Sequence, residues 1–389
     1  MPPGDPTSTS SRKVQPFLAM EILERAQVME RQGVDIVHLE VGEPDFGVPA
    51  CVDEAIARAV AGGETHYTHS LGIHELRQEI VSYYANRYDV TVDLERVVVT
   101  AGTSGAMVLL MALLLDAGDE VLLPNPGYAC YESFVRSFHG EPVFFDLLAQ
   151  DGFRYDPKRA RDRLTARTKA LFVNSPSNPT AALQDRGTLS SLLELGVPVV
   201  SDEIYHGLEY GTDESRATTL LELTDDGFVI DGFSKRYAMT GLRVGWLVAP
   251  ARHVETIQRL QQNLFVCASS VAQHGALAAL RHAWVDVENM LAQYRRRRSV
   301  LLEGVKRLGF PVPGEPMGAY YVLVDARHLD GDSLALARRI LEEAHVGVTP
   351  GVDFGSNAEG CLRFSFANSV ENIEEALRRL ERWIDANGP

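Results

Sequence analysis

Phe228-Val229-Ile230-Asp231-Gly232-Phe233-Ser234-Lys235-Arg236, continuing through Tyr237-Ala238-Met239-Thr240-Gly241-Leu242-Arg243 to Val244-Gly245-Trp246-Leu247-Val248, is the stretch from which the rest of the chain is read. Its two apolar runs, 228–230 and 244–248, have the length and composition of buried strands. The residues between them form a loop. A lysine held between two core strands is partly desolvated, which lowers its pKa and suits it to forming a Schiff base with a carbonyl. Taken alone, Lys235 has a plainer reading as one more wet surface lysine, so its neighbours must decide.

Working outward, similar near-continuous apolar runs recur at 97–99, 120–123, 142–145, 170–173 and 197–200, with helical stretches such as 106–116 between them. Strands buried on both faces and separated by helices predict an α/β fold with a mostly parallel sheet flanked by helices. This large domain is expected over residues 47–284. Beyond it, long amphipathic helical patterns surround Tyr320-Tyr321-Val322-Leu323-Val324 and Leu362-Arg363-Phe364-Ser365-Phe366, a smaller α+β unit over 285–389. Upstream, 17–31 has helical periodicity closed by Gly33, and a short strand at 36–39 leads to Val41-Gly42-Glu43-Pro44. Residues 17–46 are assigned to the smaller domain. Residues 1–16, rich in Pro, Ser and Thr at their start, are expected to be a flexible arm.

A chain of 389 residues with 45% hydrophobic content is large enough for this two-domain plan, and its net charge of −16 argues against a nucleic-acid or anionic-membrane partner. The basic run Arg295–Arg298 reads as a solvated helix face. The four cysteines are scattered without metal-ligand spacing, so reduced thiols, no metal site and a cytoplasmic setting are expected.

Several other positions carry possible chemistry. Thr100-Ala101-Gly102-Thr103-Ser104-Gly105 joins a strand to a helix, either as an anion site of free backbone amides or as an ordinary capped turn. Asp202 ends a buried strand, where parallel sheets bind ligands, with helix capping as the alternative. Tyr128 and Tyr205 read equally as core. Arg363 is a charge within an apolar strand and needs a partner, either a structural carboxylate or a ligand. Gly42 lies in a turn where backbone can approach a ligand.

Read jointly and in order, these segments resemble the class I/II pyridoxal-phosphate-dependent aminotransferases of fold type I. The central stretch is similar to that family's Ser-x-Ser-Lys-x-x-x-x-x-Gly-x-Arg-x-Gly signature, and 174–180 resembles its Asn-x-Pro-x-Asn-Pro-Thr-Gly motif. The resemblance implies pyridoxal 5′-phosphate bound to Lys235, its phosphate on Arg243, Ser234, Gly102, Thr103 and Ser104, and Tyr128 stacked on its ring. It implies Asp202 at the ring nitrogen, Tyr205 and Asn178 at the phenolate oxygen, and Arg363, with Gly42 and Asn178, on the substrate α-carboxylate. Tyr67, in a matching Tyr-x-x-x-x-Gly-x-x-x-Leu-Arg pattern, would reach the neighbouring subunit's cofactor, implying a homodimer with shared sites. The expected activity is amino transfer between an α-amino acid and a 2-oxo acid by a ping-pong mechanism. A β-eliminating carbon–sulfur lyase of the same fold and a non-catalytic regulatory relative are the alternatives. Three departures stand out: Gly232 replaces a Ser or Thr, Ala181 replaces the motif's final glycine, and Ser104 stands where some aspartate-using relatives have lysine.

Overall fold

A computed structural model describes residues 8–211 and 216–387. Of the arm expected over 1–16, residues 1–7 lie outside the described residues, and Thr9–Arg12 forms one helical turn. Among the described residues twelve strands follow in chain order: β1 (Val37–His38), β2 (Val97–Thr100), β3 (Glu120–Asn125), β4 (Glu141–Asp146), β5 (Thr168–Asn174), β6 (Val199–Asp202), β7 (Phe228–Gly232), β8 (Gly245–Val248), β9 (Tyr321–Asp325), β10 (Val346–Gly347), β11 (Thr349–Pro350) and β12 (Cys361–Ser365).

Strands β2 to β8 form one seven-stranded sheet in the order β2-β8-β7-β6-β5-β3-β4. Only β8 runs antiparallel to its neighbours β2 and β7. Six of the seven strands are buried along their whole length or nearly so, because helices cover both faces, and this is why they read as unbroken apolar runs rather than alternating ones. The parallel strands all deliver their C-terminal ends to one edge. Asn174 and Asp202 are register partners there, and β7 runs straight into the Lys235 loop.

The β11-β12-β9 sheet is antiparallel and pairs Thr349 with Arg363. The parallel pairing of β1 with β10 ties the N-terminal segment to the C-terminal part of the chain. Helices Trp284–Arg307 and Val370–Asn387 pack beside these sheets with apolar stripes such as Leu301, Val305, Ile373 and Leu377 facing inward.

One expectation needs correcting here. The basic run is only half solvated. Arg295 and Arg296 are exposed, but Arg297 is buried and donates to both Asp45 carboxylate oxygens, at 2.6 and 2.9 Å, with its guanidinium over Phe46. Arg298 donates to Pro316 O at 2.6 Å. A helix has one face toward the core, and in a run of four residues one side chain must point that way. The pair clamps Asp45, and with it the 42–46 turn, to the helix Trp284–Arg307.

Candidate active site

The loop ends at the sheet edge enclose a cavity of about 270 Å³. Gly42, Thr103, Tyr128, Asn178, Asp202, Tyr205, Lys235 and Arg363 from the expected site line it. Ser104 is exposed and off the cavity, Ser234 is buried beside Lys235, and Tyr67 is 83% exposed on the surface.

Lys235 donates from Nζ to Gly42 O at 2.7 Å, and the same carbonyl accepts from the Tyr320 hydroxyl at 3.0 Å. Burial lowers the amine's pKa to about 8; Arg363 and Arg243 add to that effect, while Glu43 and Asp202 oppose it. A substantial neutral fraction is therefore present near neutral pH, as a nucleophilic amine requires. The backbone must come close here. A Cβ on Gly42 would lie 2.1 Å from the Tyr321 hydroxyl.

Asp202 is held from two sides: the Tyr131 hydroxyl donates to Oδ2 at 2.7 Å and the Ile204 amide to Oδ1 at 3.2 Å. Burial nevertheless raises its pKa to about 6. Asn174 staples the neighbouring loop, donating from Nδ2 to Asp202 O at 3.0 Å and accepting the Asn178 amide on Oδ1 at 2.8 Å.

Arg363 is 2% exposed and lacks a carboxylate partner among the described residues. It donates to Asn178 Oδ1 at 2.8 Å, Glu40 O at 2.5 Å and Thr349 Oγ1 at 3.0 Å, and lies between the rings of Tyr321 and Phe354. Its buried Nε has no partner. A guanidinium fixed by neutral acceptors, with charge uncompensated, is built to receive an anion. With Asn178 Oδ1 taken by Arg363, the amide's NH₂ is the group left to donate toward a ligand. Tyr205 meets Tyr321 hydroxyl to hydroxyl at 2.8 Å, and burial keeps it neutral by raising its pKa.

Gly102 and the exposed Arg243 are not among the residues lining that cavity, but beside the lining Thr103 a Cβ on Gly102 would come within 2.9 Å of Arg243 Nη2. The first amides of helix Gly102–Leu114 and a guanidinium therefore converge, the chemistry of a phosphate cradle. Arg243 itself is turned by a left-handed backbone and anchored by Nη1 to Thr240 O at 2.7 Å. The departures at Gly232 and Ala181 have structural readings. A Cβ at 232 would crowd Gly245 Cα at 3.2 Å, so a hydroxyl there needs β7 and β8 to spread. Ala181 occupies the left-handed conformation at φ 55°, so the turn keeps a glycine-like shape with an alanine in it.

Reading along the chain missed Tyr131, Asn174 and Tyr321. Tyr131 follows Tyr128 by three residues, a helical spacing that could have suggested a shared face, whereas Tyr321 reads only as core.

Comparison with known proteins agrees with this geometry. The family model for aminotransferase class I and II matches residues 34–380. The (5-formylfuran-3-yl)methyl phosphate transaminase of Methanocaldococcus jannaschii is 38% identical over 371 residues, covering 95% of this chain and 97% of that protein. The aspartate/prephenate aminotransferase of Thermus thermophilus is 38% identical over 385 residues, covering 96% and 98%. The solved structure of aspartate aminotransferase from Thermus thermophilus with maleate superposes with a TM-score of 0.92 at 36% identity, covering 97% of this chain and 99% of that one. The chain belongs to the class I and II aminotransferases, pyridoxal-phosphate-dependent enzymes that move an amino group between an α-amino acid and a 2-oxo acid. No helix among the described residues is long and apolar enough to cross a membrane.

Proposed function

We propose that the ping-pong transfer runs on Lys235, Asp202 and Arg363, each in a separate role. The observation carrying this reading is a half-buried lysine amine that shares one cavity with a buried carboxylate and an anion-ready guanidinium. Pyridoxal phosphate, when bound, supplies an aldehyde for the amine and an electron sink for the electrons released when Cα loses its proton.

Lys235 would hold the cofactor at rest and, once displaced by the substrate's amino group, its free amine would serve as the base and acid that moves the proton taken from the substrate's Cα. Its pKa, lowered to about 8, leaves roughly a tenth of the amine neutral at pH 7, far more than an ordinary lysine offers, while the protonated form stays available for the return step. Asp202 holds a proton at the cofactor's ring nitrogen; the incoming positive charge offsets the burial that raises its own pKa. Arg363 grips the α-carboxylate through its free Nε edge, with Gly42 beside it, so Cα is presented to Lys235. Gly102, Thr103, Ser234 and Arg243, with Ser104 offering its backbone amide, would take the phosphate, Tyr128 would cover the ring, and Tyr205 and Asn178 would donate to the phenolate oxygen. Tyr205 keeps its proton because Tyr321 and burial hold its pKa high.

The same reading divides the chain into a large cofactor domain over 47–284 and a smaller one from 17–46 and 285–389, and sets the enzyme in the cytoplasm as a homodimer. Support for the dimer is a surface on which Tyr67, Leu264 and Val266 are all exposed, with Thr68 N donating to Cys267 Sγ at 3.4 Å. The named relatives act on different substrates, so family membership by itself selects none.

Borohydride reduction followed by peptide mass spectrometry tests the central role. The pyridoxyl group is expected on Lys235, with Lys235→Ala unlabelled but folded. A label on another lysine overturns the assignment.

A further inference from the structure

We propose that Tyr321 is a positioning residue for the transfer: its hydroxyl donates to Tyr205 and so turns the single Tyr205 proton toward the cofactor's phenolate oxygen. The inference rests on the reading of Tyr205 given above and deepens it by naming the residue that makes Tyr205 a donor.

A phenol has one proton to give and two lone pairs to fill. The Tyr205 and Tyr321 oxygens are 2.8 Å apart and buried, a distance at which one donates to the other. If Tyr205 gives its proton to Tyr321, it has none for a ligand. With a phenolate oxygen as the acceptor on its other side, the bond between the two tyrosines must run from Tyr321 to Tyr205. Burial, against the opposing pull of Arg363, raises the Tyr321 pKa, so the proton is there to donate. An oxygen that accepts one hydrogen bond also gives a stronger one, by roughly 10 to 30%. Tyr321 therefore fixes both the direction and the strength of the bond Tyr205 offers.

The fold holds that hydroxyl in place from several sides. Tyr321 opens β9, opposite Ser365, while Leu323 lies opposite Arg363. Residues two apart in a strand share a face, so Tyr321 is the diagonal neighbour of Arg363, and the guanidinium sits 4.4 Å from its ring centre. Tyr205 and Tyr320 meet the same ring edge to face, with centres 5.8 and 4.9 Å away. At the tip, the Gly42 backbone lies so close that any side chain there would collide with the hydroxyl. Tyr320 commits its own proton to Gly42 O. Packing under Arg363 asks only for an aromatic ring at 321, which phenylalanine would supply. The hydroxyl has a different task, and its bond goes to Tyr205.

The test is a pH titration of the bound cofactor's visible absorbance in substrate-free holoenzyme, for wild type, Tyr321→Phe, Tyr205→Phe and the double variant. A donor at the phenolate oxygen competes with the proton which that oxygen shares with the Lys235 nitrogen, so losing the donor raises the pH at which the proton leaves. Tyr205→Phe removes a hydrogen bond to a charged acceptor and should raise the midpoint by about 1 to 2 pH units. Tyr321→Phe should raise it in the same direction by about 0.3 to 0.5 unit, the share that cooperativity allows. In the Tyr205→Phe background the second substitution should shift nothing further, because Tyr321 acts through Tyr205. A midpoint unmoved by Tyr321→Phe, or an equal rise in both backgrounds, overturns the inference and leaves the role of Tyr205 standing. A midpoint unmoved by Tyr205→Phe overturns both.

Discussion

Replacing Asp202 by Asn is expected to remove most of the turnover and, in the cofactor-free protein, to stabilise the fold above pH 6. The carboxyl is buried, and burial raises its pKa from 3.8 to about 6, even though Tyr131 and the Ile204 amide favour its charged form. Between those two values the folded chain keeps a proton that the unfolded chain has released. Stability therefore falls as pH rises through the window and stays reduced above it. Two units and a little more, at ~1.36 kcal/mol each, amount to a burden of about 3 kcal/mol at pH 7.5 and about 1.6 kcal/mol at pH 5. Asn escapes this charge cost. It also turns one acceptor oxygen into an NH₂ group: with the remaining oxygen kept for the Ile204 amide, the Tyr131 hydroxyl becomes an acceptor and its own proton loses its acceptor, at a pH-independent cost of roughly 1 to 2 kcal/mol. The net change is close to zero at pH 5 and about 1 to 2 kcal/mol stabilising at pH 7.5. Urea midpoints of both cofactor-stripped proteins at the two pH values measure it. A variant-minus-wild-type difference equal at pH 5 and pH 7.5 refutes the reasoning, because it would mean the buried carboxyl titrates normally. With cofactor bound, the positive ring nitrogen relieves the same strain in wild type, so the stability order should reverse on reconstitution.

Three further outcomes are expected. Arg363→Lys keeps a charge but loses the planar donor edge, and Arg363→Ala should cost about 2 to 5 kcal/mol, roughly 30- to 4,000-fold in kcat/KM for amino acids, with thermal unfolding reporting any separate structural loss. His38, held by Glu40 first and Glu30 next against the effect of burial, has its pKa raised to about 9, so its stabilising contribution is full below pH 6.5 and disappears as pH rises through about 9. Wild type and His38→Gln should accordingly converge in denaturation midpoint across that range; parallel midpoints would show that the pair carries no linkage. Sedimentation at assay concentration should give a dimer, and Tyr67→Asp, which sets a charge among exposed apolar groups, should weaken it and lower activity together; a fully active wild-type monomer would end the shared-site reading.

Much of this protein was legible along the chain because its most informative features are local. Strands covered on both faces must be apolar throughout, so β3, β5, β6 and β7 announced a parallel sheet without any knowledge of their order. Turns that deliver Lys235, Asn178 and Gly102 to the sheet edge are short and depend on nearby residues, which kept their patterns recognisable. Other properties came only with the tertiary structure. The pKa values of Lys235 and Asp202 follow from burial, which is set by everything packed around them. Tyr131 and Tyr321 read as ordinary core aromatics until the fold turns one hydroxyl onto Asp202 and the other onto Tyr205. Arg363 was an unexplained charge in an apolar strand, with a structural ion pair and a ligand equally open. The fold surrounds it with Asn178, Thr349 and the Glu40 carbonyl, neutral acceptors drawn from positions up to 323 residues away in sequence, and no carboxylate among the described residues pairs with it. Local patterning reports which way a residue faces; only the packed chain brings remote groups within the few ångströms over which charge and hydrogen bonding act.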